Sequence, residues 1–292
     1  MPSTRDIRRR IRSIKSTAQI TKAMQMVASS KMRRAQEAAL AGRPYALLLN
    51  RVLGQVTRHT GEFTHPLMER REVAKRAVIV VSTDKGLCGG LNSNLFREVQ
   101  SFDQAQTRFI TAGRKASQFV ARTRRQLAAE FTFKDTPHFS EARNIAKFAR
   151  ELFTKGEVDE VQVLFTNFIN TLTQKPATFT LLPITELAEI KARLEKLLGE
   201  TPEDTEPTDF LFEPSPGAVL GEMLPHYVNF TLYQVLLEAK ASEHSARMVA
   251  MKNATDNAKQ IVKDLTLEYN KIRQGMITKE LLEITGAAMA LG

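Results

Sequence analysis

HYVNFTLYQVLLEAKASEHSARMVAMKNATDNAKQIVKDLTLEYNKIRQGMITKELLEITGAAMALG, residues 226–292, contains no proline, and its only glycines are Gly275, Gly286 and Gly292. Proline and glycine are the strongest helix breakers, so a span this long without them permits a helix well beyond the usual length. At about 1.5 Å per residue it reaches on the order of 100 Å. No compact core buries such a helix along its whole length; it has to pair with another. The chain supplies a second one, since Ser3 to Ala41 holds neither glycine nor proline. Ala258, Val262, Leu265, Tyr269, Ile272 and Met276 step by four and three, the spacing of a coiled-coil seam. Ile7, Ile11, Ile14, Ala18 and Thr21 step the same way, which makes the two ends each other's partners. Ile277, Leu281, Ile284 and Ala288 form a further apolar series, offset around the C-terminal helix. Pro44 interrupts the N-terminal run, and helical periodicity resumes at once from Tyr45 to Val56, so a bend near Gly42 is expected.

Between the ends the pattern changes. Arg76 to Ser82 (RAVIVVS) is a β-branched run of the kind buried on both faces of a sheet. Helix is predicted over Asn94–Gln100, strand over Thr107–Thr111 and helix over Arg114–Arg125. Phe131 and Phe133 mark a short strand, and a helix follows from Glu141 to Phe153 with Ser140 as its N-cap. Val158–Phe168 and Lys175–Leu182 read as strands. Such alternation gives a Rossmann-like α/β layer with a largely parallel sheet and helices on both faces. Thr201 to Pro216 (TPEDTEPTDFLFEPSP) is a proline- and acid-rich connector, except that Phe210, Leu211 and Phe212 call for burial or a partner. The fold class is therefore α/β plus long α. Residues 1–60 form the N-terminal coiled-coil helix, 76–190 the α/β domain, 191–216 the connector and 217–292 the C-terminal coiled-coil helix.

The formal net charge of +10 is concentrated at the start. Arg5, Arg8, Arg9, Arg10, Arg12, Lys15, Lys22, Lys31, Arg33 and Arg34 are accompanied there by a single acid, Asp6. This block points to a polyanionic partner, nucleic acid and acidic protein standing level on charge alone. The N-terminus lacks the apolar core of a signal peptide, and no apolar run approaches the roughly 20 residues needed to span a bilayer. The lone Cys88 excludes an internal disulfide and fits a reducing compartment. The uncharged end, Ile284 to Gly292, is either disordered or held in an apolar socket.

Catalytic chemistry is sparse. Asp84 to Asn92 (DKGLCGGLN) follows a buried strand and precedes a helix, the place of a phosphate loop. It matches neither common phosphate-loop pattern, and a tight turn accounts for its glycines. Cys88 has no histidine nearby in sequence and reads as a small packing residue. His59, His65, His138, His226 and His244 show no metal-ligand spacing. No cofactor, metal or direct nucleotide binding is expected.

Several long segments, in order, resemble the gamma subunit of the bacterial F-type ATP synthase. They are Ile20 to Ala28 (ITKAMQMVA) with Ser30 to Arg33, Ser242 to Asn257 (SEHSARMVAMKNATDN), Asn270 to Gln274 (NKIRQ) with Ile277 to Leu281, and the Asp84 to Asn94 loop. The resemblance covers nearly the whole chain and is weakest from Leu187 to Asp209. It implies an antiparallel coiled coil of the terminal helices, acting as a non-catalytic rotary shaft, one copy per complex, inside a hexamer of alpha and beta subunits. The α/β domain would face the epsilon subunit and the membrane ring of c subunits. Arg273, Gln274, Thr278 and Glu280 would form a catch on a beta subunit, and Lys22, Met24, Arg33, Lys252 and Thr255 would meet the acidic lever of beta. Phe210, Phe212 and Glu213 would form a foot on the ring and epsilon. The shaft would couple proton flow to ATP synthesis and hydrolysis at the beta subunits, on the cytoplasmic side of a bacterial inner membrane. The competing readings are a basic coiled-coil protein that binds nucleic acid and a nucleotide-binding enzyme built on the α/β unit. The first predicts salt-sensitive binding to bare duplex, the second saturable ATP binding by the isolated chain.

Overall fold

The computed structural model describes residues 3–59, 65–184 and 212–291. Phe210 and most of the connector lie outside them. Contacts divide the chain into two compact units, Ser30–Ala246 and the pairing of Met1–Ser29 with Arg247–Gly292.

The first unit is built on a five-stranded sheet. Strands β1 (Arg76–Val81), β2 (Thr107–Ala112), β3 (Gln126–Phe131), β4 (Glu160–Phe168) and β5 (Gln174–Leu182) lie in the order β3-β2-β1-β4-β5. β1 is central, parallel to β2 (Val78↔Phe109) and to β4 (Val78↔Gln162). β3 is parallel to β2, and β5 closes the other edge antiparallel to β4. The β-branched run is explained by burial on both faces. Ala77, Ile79 and Val81 enter the larger core with α5 (Phe139–Thr154), α2 (Arg43–His59) and the start of α6 (Pro216–Leu291). Val78 and Val80 enter a smaller core with α3 (Leu91–Ser101) and α4 (Arg114–Arg122). This alternation is the period-two side-chain rule of a strand.

The element types follow the sequence; several boundaries do not. α3 starts at Leu91, with Gly90 as N-cap, rather than at Asn94. α4 stops at Arg122 because Arg124 takes a left-handed φ of 55°. α5 starts at Phe139, and its N-cap is His138 rather than Ser140. There Glu141 accepts the His138 backbone N–H at 2.7 Å, satisfying a donor that the helix cannot. β3 takes in Phe131 but not Phe133, which is buried in the core beyond the strand end. At Gly113, φ is +109°, and a Cβ would strike the Ser82 carbonyl, so this strand-to-helix turn requires glycine.

The N-terminal helix breaks cleanly at one residue. α1 (Thr4–Ala41) ends just before Gly42, and α2 resumes at Arg43 with Pro44 in its first turn, where no backbone donor is needed. α6 runs for 76 residues and carries Pro225 inside it. The bond that a residue here would make to Gly221 is missing. Leu220, Leu224, Tyr227 and Val228 pack into the core on either side and hold the helix together.

In the second unit α1 and α6 pack antiparallel. On α1, Ile7 and Ala28 are buried, and Ile11, Ile14, Ala18, Thr21 and Met24 are half-buried. On α6, Met251, Thr255 and Ala258 are buried, and Val262, Leu265, Tyr269 and Ile272 are half-buried. Both series step by four and three, and Thr21 meets Thr255 across the seam. Counting outward from that pair sets Ala18 opposite Ala258, Ile14 opposite Val262 and Ile11 opposite Leu265. Thr4, the first residue of α1, falls opposite Ile272. The seam therefore ends at Ile272, and Met276, expected to continue it, is 48% exposed.

Candidate partner-binding site

The exposed side chains of the helix pair follow directly from its seam. With the apolar positions turned inward, Arg5, Arg8, Arg9, Arg10, Arg12, Lys15 and Lys22 are all exposed on α1. Like charges this dense repel one another and favour an acidic counter-surface. Not every outward position is polar. Ile20, Met26 and Val27 on α1 and Ile261 and Leu267 on α6 are large apolar residues left in solvent. The seam pattern gave no hint of these, because they fall between its steps.

Beyond Ile272, α6 has no α1 residue to pack against, and every residue from Arg273 to Ala287 is exposed. Arg273, Gln274, Thr278 and Glu280 lie here on successive turns, and the Thr278 hydroxyl donates to the Gln274 carbonyl at 3.0 Å. Ile277, Leu281, Leu282 and Ile284 lie among them, Leu282 being 67% exposed. A helix carrying this much bare apolar surface beside fork-shaped and amide donors is built to be enclosed.

The other expected contact residues divide. Lys22 is exposed, with its ammonium 3.4 Å from the Gln25 amide oxygen, and Lys252 is exposed. Met24 is half-buried. Thr255 is turned inward, 3% exposed, against Thr21. Within the Ser30–Ala246 unit, Arg33 is exposed and pairs with Glu37 at 2.9 Å. Phe212 packs against the larger core, while Glu213 is exposed. Glu213, Tyr45, His65, Met223 and His226 line a groove of about 800 Å³. Burial holds the His65 imidazole below its ordinary pKa, opposed by the Glu222 carboxylate, and burial pushes the Tyr45 phenol up.

A buried charge cluster in the same unit is absent from the sequence reading. The Lys240 ammonium, 2% exposed, lies 3.0 Å from Glu243 Oε2 and 3.9 Å from Asp135 Oδ1. It also sits 4.6 Å from the centre of the Phe133 ring. Lys31 of α1 reaches Asp135 at 2.5 Å, so this cluster ties α1, α6 and the loop after β3 together. The available signal was a lysine and a glutamate three apart on a helix otherwise lined with apolar residues.

The glycine-rich loop and its neighbour Ser82 make several hydrogen bonds of their own. Asp84 and Ser82 accept the first backbone N–H groups of α4, from Arg114 at 2.9 Å and Ala116 at 2.8 Å. Asn92 donates to Thr83 Oγ1 at 2.8 Å and to the buried Cys88 sulfur at 3.5 Å. Two of the backbone donors at the start of α4 are thus already engaged. Among the described residues there is no cluster fit to hold a metal, and no helix is long and apolar enough to cross a membrane.

Comparison with known proteins agrees with this arrangement over the whole chain. The family model for ATP synthase matches residues 3–291. The ATP synthase gamma chain of Opitutus terrae is 48% identical, covering 99% of this chain and 99% of that one. The gamma chain of Methylacidiphilum infernorum is 45% identical, with complete coverage of both. In structure, the chain is similar to one from the rotor of the Euglena gracilis mitochondrial ATP synthase, seen by cryo-EM in rotational state 1. That likeness has a TM-score of 0.65 over 94% of this chain and 98% of that one, at 21% identity, and it speaks for the fold. The nucleic-acid reading of the basic helix finds no support among these relatives. The chain belongs to the gamma chain family of ATP synthases.

Proposed function

We propose that this chain is the central rotary shaft of a bacterial F-type ATP synthase, a subunit without catalytic residues of its own. The observation that carries the reading is the stretch of α6 from Arg273 to Ala287, rich in large apolar residues and exposed throughout. It is a surface that makes sense only when surrounded. In this reading the surroundings are a hexamer of alpha and beta subunits, and nucleotide chemistry belongs to beta. A partner shifts a conformational equilibrium only by contacting its two states differently. A helix touching one beta subunit more than its neighbours therefore gives the three sites unequal nucleotide affinities, a coupling typically of about 1–3 kcal/mol. Rotation moves that inequality from site to site.

Arg273, Gln274, Thr278 and Glu280 form the catch on beta, because guanidinium and amide donors make a contact that depends on orientation. Lys22, Met24, Arg33 and Lys252 meet the acidic lever of beta. Thr255 contributes to that contact by holding α1 against α6. Phe210, Phe212 and Glu213 belong to the foot facing the epsilon subunit and the ring of c subunits, at the cytoplasmic face of the inner membrane.

The test is the Arg273→Ala, Gln274→Ala double change in the assembled complex. ATP turnover should fall roughly 5- to 100-fold for the loss of two charge-assisted contacts. The circular dichroism and melting profile of the isolated chain should stay as they are, because both side chains are exposed. Unchanged turnover with unchanged proton pumping would remove the catch assignment. Failure of the full-length chain to join an alpha–beta hexamer at all would remove the shaft reading.

A further inference from the structure

Thr21 and Thr255 face each other inside the helix pair, with hydroxyl oxygens 2.7 Å apart. Thr255 also donates to the Met251 carbonyl of its own helix at 2.8 Å. Thr21 in turn has the Ala18 carbonyl of its own helix at 3.1 Å, so either hydroxyl can donate across the seam while the other donates to its own backbone. The bonds form a short chain from the α1 backbone through Thr21 and Thr255 to the α6 backbone, each polarising the next. Thr255 is 3% exposed, so water does not substitute for its partner.

The seam around this pair carries little information about alignment. Ala18 falls opposite Ala258 one step away, and Ala28 is the buried α1 residue on the other side. Methyl groups do not interlock as knobs and holes the way leucine or isoleucine do. Sliding one helix along the other by one heptad, about 10 Å, again sets apolar against apolar. Ile11 would meet Ile272, Ile14 would meet Tyr269 and Ala18 would meet Leu265. The hydroxyls object: Thr21 would face Val262, Thr255 would face Ala28, and the bond between the helices would be gone. Smaller displacements break the 2.7 Å contact first as well.

We infer that the Thr21–Thr255 pair is a positioning device that holds α1 and α6 in one axial alignment. A single polar pair within a coiled-coil seam fixes register in this way, at some expense in stability. The alignment decides which α1 side chains share a height with which α6 side chains. A displacement of one helical turn, about 5.4 Å, would rearrange any surface formed by both helices. This inference concerns the helix pair alone and stands whether or not the pair turns inside a hexamer.

The test uses the full-length chain with Cys88 replaced by alanine and spin labels at two exposed positions, Lys15→Cys and Lys263→Cys. Pulsed dipolar spectroscopy reads the label-to-label distance distribution. With both threonines present, one narrow distance is expected. In the Thr21→Val, Thr255→Val variant the distribution should broaden at least about twofold or gain a second maximum, because the valine pair packs but does not select. Thr255→Ser keeps the hydroxyl and should restore the single narrow distance, a rescue that mere side-chain packing would not give. A double-valine distribution as narrow as the original would overturn the inference, as would a serine variant as broad as the double valine. A distribution already broad with both threonines in place would overturn it too.

Discussion

Lys240 shows at single-residue scale how far context overrides type. Lysine is almost never fully buried without a partner, and here the partners come from its own helix and from a loop in another part of the sequence. Lys240→Met should cost about 3–5 kcal/mol in a denaturant titration, because it breaks the buried ion pair with Glu243. Adding Glu243→Gln should recover most of that loss, and a double variant as weak as the single one would contradict the account. Asp135 adds a pH signature. Its carboxyl is held below its ordinary value of 3.8 by the hydrogen bond from Lys31, against partial burial, with the charges of Lys31, Lys240 and His244 assisting. A carboxylate with a depressed folded-state pKa contributes stability above its unfolded pKa and loses it as pH falls through the folded one. Lys31→Met should therefore be less stable than the parent at about pH 7, with the gap closing as pH drops below the usual carboxylate range. Urea midpoints across that range decide it; a gap that stays constant would mean the pair contributes nothing electrostatic. This cluster was not legible in the sequence, since Lys31 and Asp135 lie 104 residues apart and only the fold brings them together. Thr255 is the complementary case: the motif around it was recognisable, but a motif does not say which way a side chain turns.

At the scale of elements, periodicity carried the reading and capping limited it. The four-three steps of both terminal helices and the β-branched run of β1 each reflect a buried face, and each element formed where its pattern lies. The boundaries moved where one backbone donor or one dihedral decided the outcome: Glu141 reaching back to His138, Arg124 in a left-handed conformation, Gly42 between two helices. The end of the seam at Ile272 was likewise invisible, because it is set by where α1 begins on the opposite side. It has a direct consequence for proteolysis. Within residues 247–287 of α6, trypsin should cut the isolated chain first at Arg273 and Lys279, where a single exposed helix has nothing to hold it against local opening. Cleavage there should precede cleavage at Lys252 or Lys259 by at least about tenfold, as read by mass spectrometry of timed digests. First cuts within residues 247–272 would show that α1 gives no protection.

For the whole molecule, charge distribution is the property most open to measurement. The net positive charge, most of it on α1, should steer encounter with an acidic partner and be screened by salt. Association of the chain with an alpha–beta hexamer should slow by about 10-fold or more between roughly 0.05 and 0.5 M salt, with dissociation much less affected. A salt-independent association rate, measured by stopped-flow fluorescence, would assign the basic face some other role. The contact between Thr21 and Thr255 spans 234 residues of sequence. α1 leaves the ribosome well before its pairing surface on α6 is made. At roughly 5–20 residues per second of synthesis, α1 waits on the order of tens of seconds for its partner. During that interval its apolar seam is bare, and mutual repulsion among its arginines opposes association with other nascent copies. The basic helix thus serves biogenesis as well as assembly: the charge that later meets a partner first protects the chain from its own copies.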